Sequence, residues 1–427
     1  MQQPVNSEQP AEEEPGTGPS FFELDNVEVT RIPVRDGVPI GLTTASNSSL
    51  GIGGAYGTWG DSIDNLSLPS YLSQRLGYKL SDAECLDLTP LGFHHRHHVA
   101  DLAPDEHRQV ELEVGTRFLS AAIQASGWQP EEVDAVLIGA SAPVTNQFTQ
   151  EISRRAGIRE SALKVSVHKA CDSSVSALHL ALNPDLMENQ KGFNVARELL
   201  GKKILVGGIE GLSRFTSHSR DTNALQLFGN GAGVIGIIPG QNLQFLVGQE
   251  KEVYDEKGLL AVRMFYPHSR KVTNESLVEV TQDSANHIRV AGLMHEPEGD
   301  IPIEMAGLMG MVKLFVRSGV EVIREVYNKY QAMMAEMGNF EKNLKVTIVH
   351  HANYKINKLT ASQLEKDGIH LNMPWVLSEF GNVSAASAMI AFLRQIKDLK
   401  PGDHILFDGF GAGTYYDVFA TALGGTK

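Results

Sequence analysis

The stretch VSVHKACDSSVSALHLAL, residues 165–182, predicts a β-strand that leads directly into an α-helix, with a cysteine at the turn. The first residues form an apolar run that is typical of a buried strand. Asp172 and the two serines after it are residue types that begin helices. Apolar residues then recur with helical spacing as far as Leu182. Cys171 therefore lies at the predicted N-terminus of a helix.

The position of Cys171 favours a nucleophilic role. A thiol at a helix N-terminus experiences the positive end of the helix dipole and unpaired N–H groups, both of which stabilise the thiolate. The thiolate is the form that attacks an acyl carbon. A buried structural cysteine is the alternative interpretation, because unreactive cysteines are common in protein cores. The other motifs of the chain decide between the two.

The composition is that of an ordinary globular protein with more than one core. The chain has 427 residues, of which 42% are hydrophobic and 21% are charged, and single cores stop growing at about 250–300 residues. Its two cysteines, Cys85 and Cys171, are too few for a disulfide framework and are typical of a reducing compartment. No apolar run approaches the roughly 18 residues that a membrane span needs, and no signal segment opens the chain. We therefore expect a cytoplasmic protein.

The charge distribution excludes two classes of partner. The net charge of −14 argues against nucleic acid and anionic membranes, because both attract basic surfaces. Residues 1–20 combine glutamates, prolines and glycines without apolar periodicity, so we expect a disordered acidic tail.

Four histidines surround Arg96, but neighbours on one element do not face one point. We expect a solvated or phosphate-facing patch there, and neither a metal nor a cofactor.

The last third of the chain repeats the pattern of the first half. Gly139 and Cys171 lie 32 positions apart, and so do His350 and Asn382, which occupy the corresponding points of the later pattern. Two glycine turns also correspond, GNGAG at 229–233 and GFGAG at 409–413. Strands are predicted at 133–138, 204–206, 346–349 and 405–407, and helices at 68–76, 104–125 and 306–333.

These correspondences predict an α/β fold of two similar halves related by pseudo-symmetry, although strand–turn–helix patterns also recur by chance in α/β proteins. The N-terminal half, with the nucleophilic cysteine, is assigned to 21–240 and the C-terminal half, with the histidine and asparagine, to 303–427. Residues 241–302 are expected to be connecting strands and loops. Residues 37–60 are expected to form a long loop or a hairpin, and 183–200 an insertion.

Three sites in the sequence have the residues for acyl chemistry. They are Cys171, the sequence His350-His351-Ala352-Asn353 after a strand, and Asn382 before a helix. A thiolate nucleophile suits thioesters, because the acyl-enzyme has an energy similar to that of the substrate. A histidine beside an asparagine supplies two donors for a developing oxyanion. Residues 211–213 lack the GxSxG pattern of a serine hydrolase.

Six short motifs follow one another between Asp64 and the C-terminus: Ala170-Cys171 at a helix start, FGNGAG from Phe228, MAG from Met305, HHANYKI from His350, GNVSAAS from Gly381 and PGDHILFDGFGAG from Pro401. Together they resemble the thiolase superfamily and, within it, the initiating ketoacyl synthases, β-ketoacyl-acyl-carrier-protein synthase III and its relatives. The resemblance implies duplicated α/β halves in a layered αβαβα core. It also implies a role in fatty acid or polyketide biosynthesis.

The resemblance further implies a ping-pong reaction. Cys171 would take an acyl group from a coenzyme A or carrier-protein thioester. His350 and Asn382 would then hold the carbonyl of a malonyl thioester while it loses carbon dioxide, and the carbanion would attack the acyl-enzyme. The backbone N–H groups of Cys171 and Ala412 would form the oxyanion hole.

The family also implies binding residues and an assembly. Arg96, Asn353 and Lys355 match positions that would contact the substrate or its carrier. Phe148 matches an aromatic residue that crosses a dimer interface to shape the partner's acyl pocket, with an ordinary core phenylalanine as the alternative. We therefore expect a homodimer.

Some positions depart from the family pattern. His351 stands where the family usually has glutamine, and Ala412 replaces the middle glycine of the final turn, which would strain the backbone if that position requires a positive φ. The tryptophan that stacks on coenzyme A is missing from Glu84–Leu88, and an upstream arginine is Pro90. These departures leave two alternatives open: an acyltransferase that passes the Cys171-bound acyl group to a hydroxyl or amine, and a non-catalytic partner subunit of a synthase.

Overall fold

A computed structural model of the chain describes residues 29–100, 102–141, 143–217, 219, 221–253, 278–292, 308–412 and 414–424. The expected acidic tail and the MAG motif at Met305 lie outside these ranges. The strands are β1 (Thr30–Ile32), β2 (Val38–Asn47), β3 (Ile52–Trp59), β4 (Asp61–Asp64), β5 (His95–His98), β6 (Ala135–Gly139), β7 (Leu163–His168), β8 (Ile204–Glu210), β9 (Gly231–Ile237), β10 (Leu243–Glu252), β11 (Val278–Ser284), β12 (His287–Gly292), β13 (Leu344–Val349), β14 (His404–Gly411) and β15 (Tyr415–Leu423).

The helices alternate with these strands along the chain. They are α1 (Leu68–Leu76), α2 (Pro104–Ala125), α3 (Phe148–Arg155), α4 (Ser173–Leu182), α5 (Val195–Leu199), α6 (Leu212–Phe215), α7 (Thr222–Leu227), α8 (Leu308–Glu336), α9 (Tyr354–Lys366) and α10 (Ser387–Gln395). Within the ranges that the structure covers, no helix is both long enough and apolar enough to cross a membrane.

Two sheets share the same internal order. The larger one has the order β1-β2-β3-β9-β8-β6-β7-β12-β11, and the smaller one β10-β15-β14-β13. Four neighbouring strands of the larger sheet, β3-β9-β8-β6, correspond to the four strands of the smaller sheet, β10-β15-β14-β13. In each set of four, the first two strand pairings are antiparallel and the third is parallel. The strands of each set also follow one another in the same chain order. The predicted duplication of α/β halves is therefore confirmed.

The helices form three layers, one between the two sheets and one on the outer face of each sheet. Helix α4 contacts β6, β7 and β8 of the larger sheet and β14 and β15 of the smaller one, and α10 likewise contacts β3, β9 and β13. Helices α2 and α3 cover the outer face of the larger sheet, whereas α8, which packs on α9, covers that of the smaller sheet. Strands β6 and β14 are buried along their whole length, as apolar strands between two helical layers must be. The result is the layered αβαβα core.

Two glycines let the ends of the central elements approach the larger sheet. A Cβ atom on Gly139, at the end of β6, would meet the backbone of Ser173 and Ser174 at the start of α4. A Cβ atom on Gly208 in β8 would meet the backbone of Ala385, which lies in the 3-10 turn before α10. Because neither glycine carries a side chain, both helix starts lie directly against the ends of the strands. This is the edge at which Cys171 and Asn382 lie.

Several local predictions are confirmed. Helices α1 and α2 have the predicted bounds, and residues 37–60 contain the antiparallel hairpin β2–β3. Within 183–200 the chain forms a short 3-10 turn at Met187–Gln190 and helix α5. The segment 241–302 contributes to both sheets, since β10 pairs with β15 whereas β12 pairs with β7. The assignment of this segment as a simple connection stays a prediction.

Candidate active site

Cys171, His350 and Asn382 line one cavity of about 60 Å³ between the two halves. The three side chains come from distant parts of the chain: the start of α4, the end of β13 and the turn before α10. Asn353 is a further polar residue of the wall. The rest of the described lining is mainly apolar: Leu227, Phe228, Val312, Phe315, Ala352, Ile356, Phe410, Gly411 and Ala412.

Two strained residues hold the thiol in place. Ala170, directly before Cys171, has φ of 52°, and Ser384, which hydrogen-bonds the thiol, has φ of 46°. Non-glycine residues in this region are held there only by their surroundings and occur frequently at active sites. Ala170 is fully buried, whereas Cys171 is partly exposed. The backbone therefore turns sharply so that the thiol alone faces the cavity.

The thiol is protonated at rest, contrary to the expected stabilisation of the thiolate. Burial, together with the negative charges of Glu210 and Asp172, raises the pKa of Cys171 to about 12, although the hydrogen bond to Ser384 opposes this shift. Helix α4 begins only at Ser173, so the favourable field of its N-terminus does not overcome desolvation. Formation of an acyl-enzyme therefore requires a group that accepts the thiol proton.

His350 follows β13 and is oriented by α10. Its Nδ1 lies 2.6 Å from Ser387 Oγ, and its ring packs edge-on against Phe410 with 4.9 Å between centroids. The His351 N–H also donates to Ser387 Oγ. Burial and the neighbouring His351 lower the pKa of His350 to about 3. His350 is thus a neutral imidazole, and Nε2 is the ring nitrogen left to act in the cavity.

Asn382 is fixed on both its backbone and its side chain. Its N–H donates to Leu227 O over 2.8 Å, and its carbonyl accepts from Gly229 N over 3.1 Å. Its side-chain Oδ1 accepts from the Ser384 N–H over 2.8 Å. Because Oδ1 is occupied in this way, the Nδ2 amide is the part of the side chain that can donate to a ligand.

The final glycine turn lies against the nucleophile. A Cβ atom on Gly411 would come within 2.8 Å of Cys171 N. Ala412 is buried and lines the cavity, but it is not among the described non-glycine residues with positive φ. The position therefore does not require a positive φ, the condition for strain is not met, and the backbone N–H of Ala412 is retained.

The comparisons with known proteins agree with this geometry. Residues 334–422 match the family model described as the C-terminal part of 3-oxoacyl-[acyl-carrier-protein] synthase III. β-Ketoacyl-[acyl-carrier-protein] synthase III of Prochlorococcus marinus is 27% identical over 300 residues, which cover 68% of this chain and 76% of that protein. The corresponding protein of Clostridium tetani is 27% identical over 314 residues, with 70% and 80% covered. In its C-terminal part and over most of its length, this chain is therefore similar to β-ketoacyl-[acyl-carrier-protein] synthase III proteins.

Solved structures with the same fold resemble nearly the whole of this chain. The crystal structure of 3-oxoacyl-[acyl-carrier-protein] synthase III from Aquifex aeolicus has a TM-score of 0.55 at 20% identity and covers 90% of this chain and 100% of its own. The C-terminal type III polyketide synthase domain of Steely1 from Dictyostelium has a TM-score of 0.61 at 15% identity, with 89% and 99% covered. The fold is thus shared by synthases of both kinds.

Of the predicted binding residues, only some lie at the described cavity. Asn353 lines the cavity, where its Oδ1 caps α9 by accepting from Ile356 N. Lys355 is exposed in the first turn of the same helix. Arg96 is fully buried, donates to Asn65 Oδ1 over 2.8 Å and does not line the described cavity. Its Cβ supports the turn at Gly381, so its position suits a structural role better than contact with a carrier.

Phe148 lies in the protein core, which was the alternative to an interface position in the sequence analysis. Its side chain is 5% exposed and packs in the core beneath α2, against Gly115. A side chain in the core of its own subunit does not reach a partner's acyl pocket. Within its own subunit Phe148 therefore packs as a core phenylalanine, and its interpretation as an interface residue stays a prediction.

The histidines around Arg96 do not form the expected solvated patch. His97 and His98 are buried, and burial lowers their pKa values to about 4 and about 3. His98 Nε2 lies 2.9 Å from Phe228 O, next to the glycine turn. Within the part of the chain that the structure describes, no group of three or more histidine, cysteine or acidic residues is arranged to hold a metal ion.

The sequence patterns did not point to three polar residues of this candidate site. Ser384 contacts the thiol, and Glu210 and Ser141 lie directly behind it. Glu210 ends β8 and Ser141 follows β6. The sequence did contain one signal, the acidic Glu210 at the end of a buried apolar strand, because a buried charge is costly unless it is paired or hydrogen-bonded.

Removal of the Ser387 hydroxyl tests how His350 is oriented. In Ser387→Ala, the imidazole loses its 2.6 Å partner at Nδ1 while its chemistry is unchanged. We expect carbon dioxide release from a malonyl thioester to fall about tenfold, as when a group that orients a catalytic histidine is removed. Ser387→Thr keeps a hydroxyl and is the control. An unchanged rate in Ser387→Ala would show that Phe410 and the backbone suffice to orient the ring.

Proposed function

We propose that this chain is an acyl-thioester condensing enzyme that joins a Cys171-bound acyl group to a malonyl-type thioester by a decarboxylative Claisen reaction. The observation that carries the proposal is that a thiol, a neutral imidazole and a fixed carboxamide line one cavity. The relatives named β-ketoacyl-[acyl-carrier-protein] synthase III support the same reaction class. No step of this reaction requires a cofactor.

The first half-reaction would acylate the thiol. The Cys171 sulfur attacks the thioester carbonyl, a C–S bond to Cys171 forms, and the carrier leaves as its thiolate. Negative charge develops on the carbonyl oxygen in the transition state. The N–H groups of Cys171 and Ala412 are the proposed donors to this oxygen, since Gly411 lets the final turn lie against Cys171. Backbone donors of this kind need no reorganisation during the reaction.

The second half-reaction would use His350 and Asn382 as hydrogen-bond donors. If the Ser387 hydroxyl donates to Nδ1, then Nε2 carries the ring proton and can donate to the malonyl thioester carbonyl. The Asn382 Nδ2 amide supplies the second donor. As the C–C bond to the carboxylate breaks, its electrons pass to this carbonyl oxygen and carbon dioxide leaves. The resulting enolate attacks the acyl carbon, and the thiolate of Cys171 is released.

The partners proposed are an acyl-coenzyme A or acyl-carrier-protein thioester and a malonyl thioester. Lys355 is the best-placed residue for an anionic carrier, because it is exposed on α9 between Asn353 and Ile356, which both line the cavity. A homodimer and a cytoplasmic location are part of the proposal. Sedimentation of the purified chain tests the former.

Intact-mass spectrometry after exposure to a panel of acyl-coenzyme A and acyl-carrier-protein thioesters tests the acyl-enzyme. We expect an adduct in the wild type and none in Cys171→Ser. A labelled malonyl thioester then separates the reaction classes. Carbon dioxide release that requires His350 and Asn382 supports condensation, whereas acyl transfer to a hydroxyl or amine without release indicates an acyltransferase. No adduct with any thioester would indicate a non-catalytic subunit.

A further inference from the structure

A buried carboxylate lies behind the nucleophile and is held by a set of hydrogen bonds. Glu210 is 3% exposed. Its Oε1 accepts from both the N–H and the hydroxyl of Ser141, each over 2.6 Å, and from the Ala385 N–H over 3.2 Å. These donors come from both halves of the molecule. The carboxylate is therefore fixed at the point where the two halves meet.

The Ser384 hydroxyl connects this carboxylate with the thiol. It is in short contact with Ser141 Oγ, which itself donates to Glu210 Oε1, and its interactions with the Cys171 thiol and the Glu210 carboxylate lower the pKa of each group. A hydroxyl can accept one hydrogen bond and donate another at the same time. The positive φ of Ser384 aims the side chain at this position. The thiol and the carboxylate are thus linked through a single side-chain hydroxyl.

The electrostatic environment suits Glu210 to accept a proton. Burial raises its pKa to about 7, although the hydrogen bonds from Ser141, Ala385 and Ser384 oppose the shift. Among the described residues, no basic side chain forms an ion pair with Glu210. A base whose pKa lies near the working pH is the most effective one.

We propose that Glu210 accepts the proton of Cys171 during acylation, through the hydroxyl of Ser384. The inference rests on the proposed acyl-enzyme. As the S–C bond forms, the thiol proton passes to Ser384 Oγ, and the hydroxyl proton of Ser384 passes to the Glu210 carboxylate, directly or through Ser141. The carrier leaves as a thiolate and takes up a proton from solvent. Ser384 contacts the reacting sulfur, whereas Glu210 acts through it.

Other charged groups near the site titrate elsewhere or are paired. His350 and Asp172 are the titratable neighbours of the thiol. The imidazole becomes charged only near pH 3. Burial and the charge of Asp417 raise the pKa of Asp172, so its contribution must be separated by mutation. Next to Glu210, Gly211 packs against Glu111, whose Oε1 accepts from Arg214 Nε over 2.6 Å.

The test compares Glu210→Gln with the wild type in two assays between pH 5.5 and 9. One measures alkylation of Cys171 by iodoacetamide, and the other single-turnover acylation by intact mass. Because Glu210 must be ionised to accept the thiol proton and its pKa is about 7, the wild-type rates should rise through an inflection near pH 7. Glutamine keeps an acceptor for Ser141 and Ala385 but cannot take up a proton. In Glu210→Gln we expect the inflection to vanish in both assays and acylation at pH 7.5 to fall about 100-fold, within the range typical of a general base.

A purely electrostatic role for Glu210 predicts the opposite result. The carboxylate raises the pKa of the thiol, so its neutralisation alone would make Cys171 more reactive at pH 7.5. Faster or unchanged alkylation and acylation in Glu210→Gln, or an inflection that persists, would overturn the proposal. Loss of the inflection with slower reaction supports it. Asp172→Asn should keep the inflection, which would exclude Asp172 as its source.

Two further variants control for folding. Ser384→Ala keeps a side chain at the positive φ but removes the hydroxyl, and it should reproduce the Glu210→Gln profile. Glu111→Gln changes a buried glutamate of the same neighbourhood that is not bonded to Ser384, and it should retain the wild-type profile. If no thioester acylates the wild type, the proposed function fails. The alkylation profile still tests Glu210, because iodoacetamide requires only the thiol.

Discussion

His350→Ala is expected to slow carbon dioxide release from a malonyl thioester by about 10²- to 10³-fold while Cys171 is still acylated at a rate close to that of the wild type. Loss of one preorganised donor to a developing oxyanion has an effect of this size. His350 is buried and neutral, with Nδ1 occupied by Ser387. It can therefore stabilise the enolate only as a donor, and it has no part in the acylation step proposed above.

The measurement separates the two half-reactions. Intact mass follows the acyl adduct, and release of labelled carbon dioxide follows the second step. Asn382→Ala should give a similar loss, and the double variant should lose little more, because donors that act together are not additive. His351→Gln is the matched control, since glutamine can still accept from the Val376 N–H that now donates to His351 Nε2. An equal loss of acylation and release in His350→Ala would contradict the assigned role.

Lys169→Met is expected to lower the free energy of unfolding by about 3–5 kcal/mol, the usual consequence of removing one partner from a buried ion pair. Lys169 is 2% exposed, and its Nζ lies 2.7 Å from Asp417 Oδ2 and 3.5 Å from Glu188 Oε1. His179 Nδ1 lies 2.6 Å from the other oxygen of Asp417. Without Lys169, at least two buried carboxylates lose their nearest cation.

The loss should depend on pH in a definite direction. Burial disfavours the ionised form of Asp417, but the charge of Lys169 and the hydrogen bond from His179 outweigh it and hold the pKa of Asp417 below its ordinary value. The stabilisation is therefore present above the pKa of an unfolded aspartate, about 3.9, and is lost as the pH falls through the lower folded value. Lys169→Met removes it, so the difference from the wild type should shrink as the pH is lowered.

Urea unfolding at pH 7 and at pH 3, on either side of the ordinary aspartate pKa of about 3.9, followed by circular dichroism, measures this difference. Lys203→Met is the control. Lys203 forms a partly exposed ion pair with Glu132, and such pairs contribute about 0–1 kcal/mol. A loss below about 1 kcal/mol in Lys169→Met would mean that the remaining groups take up protons and repack at little cost.

The elements that sequence reasoning placed correctly are those set by local pattern. Helix α2 has the predicted bounds because apolar spacing, a proline at its start and a glycine after its end all lie within the segment. The duplication was visible because corresponding strand ends and helix starts are separated by equal numbers of residues, and the paired order of the two sheets confirms it. Cys171, His350 and Asn382 were found in the same way, each from a motif at the end of an element.

The errors concern properties that depend on surroundings. Cys171 was expected to be a stabilised thiolate because it precedes a helix, yet burial and two nearby carboxylates decide the opposite. Phe148 and Arg96 matched family positions and their assigned roles stay predictions, but the sequence did not show that both side chains are buried in their own subunit and away from the described cavity. Residue type and spacing carry no measure of desolvation or of which neighbours fill the space around a side chain.

By itself, the sequence determined the duplicated α/β architecture, the three reactive residue types and the helix and strand ends that carry them, because short-range patterns specify such features. Only the tertiary structure decided that Ser141, Glu210 and Ser384, which follow three different strands or turns, meet behind the thiol. It also decided that His350 is neutral and that Lys169 holds a buried group of carboxylates. Hydrogen bonds and burial arise between segments distant in the chain, so no local pattern encodes them.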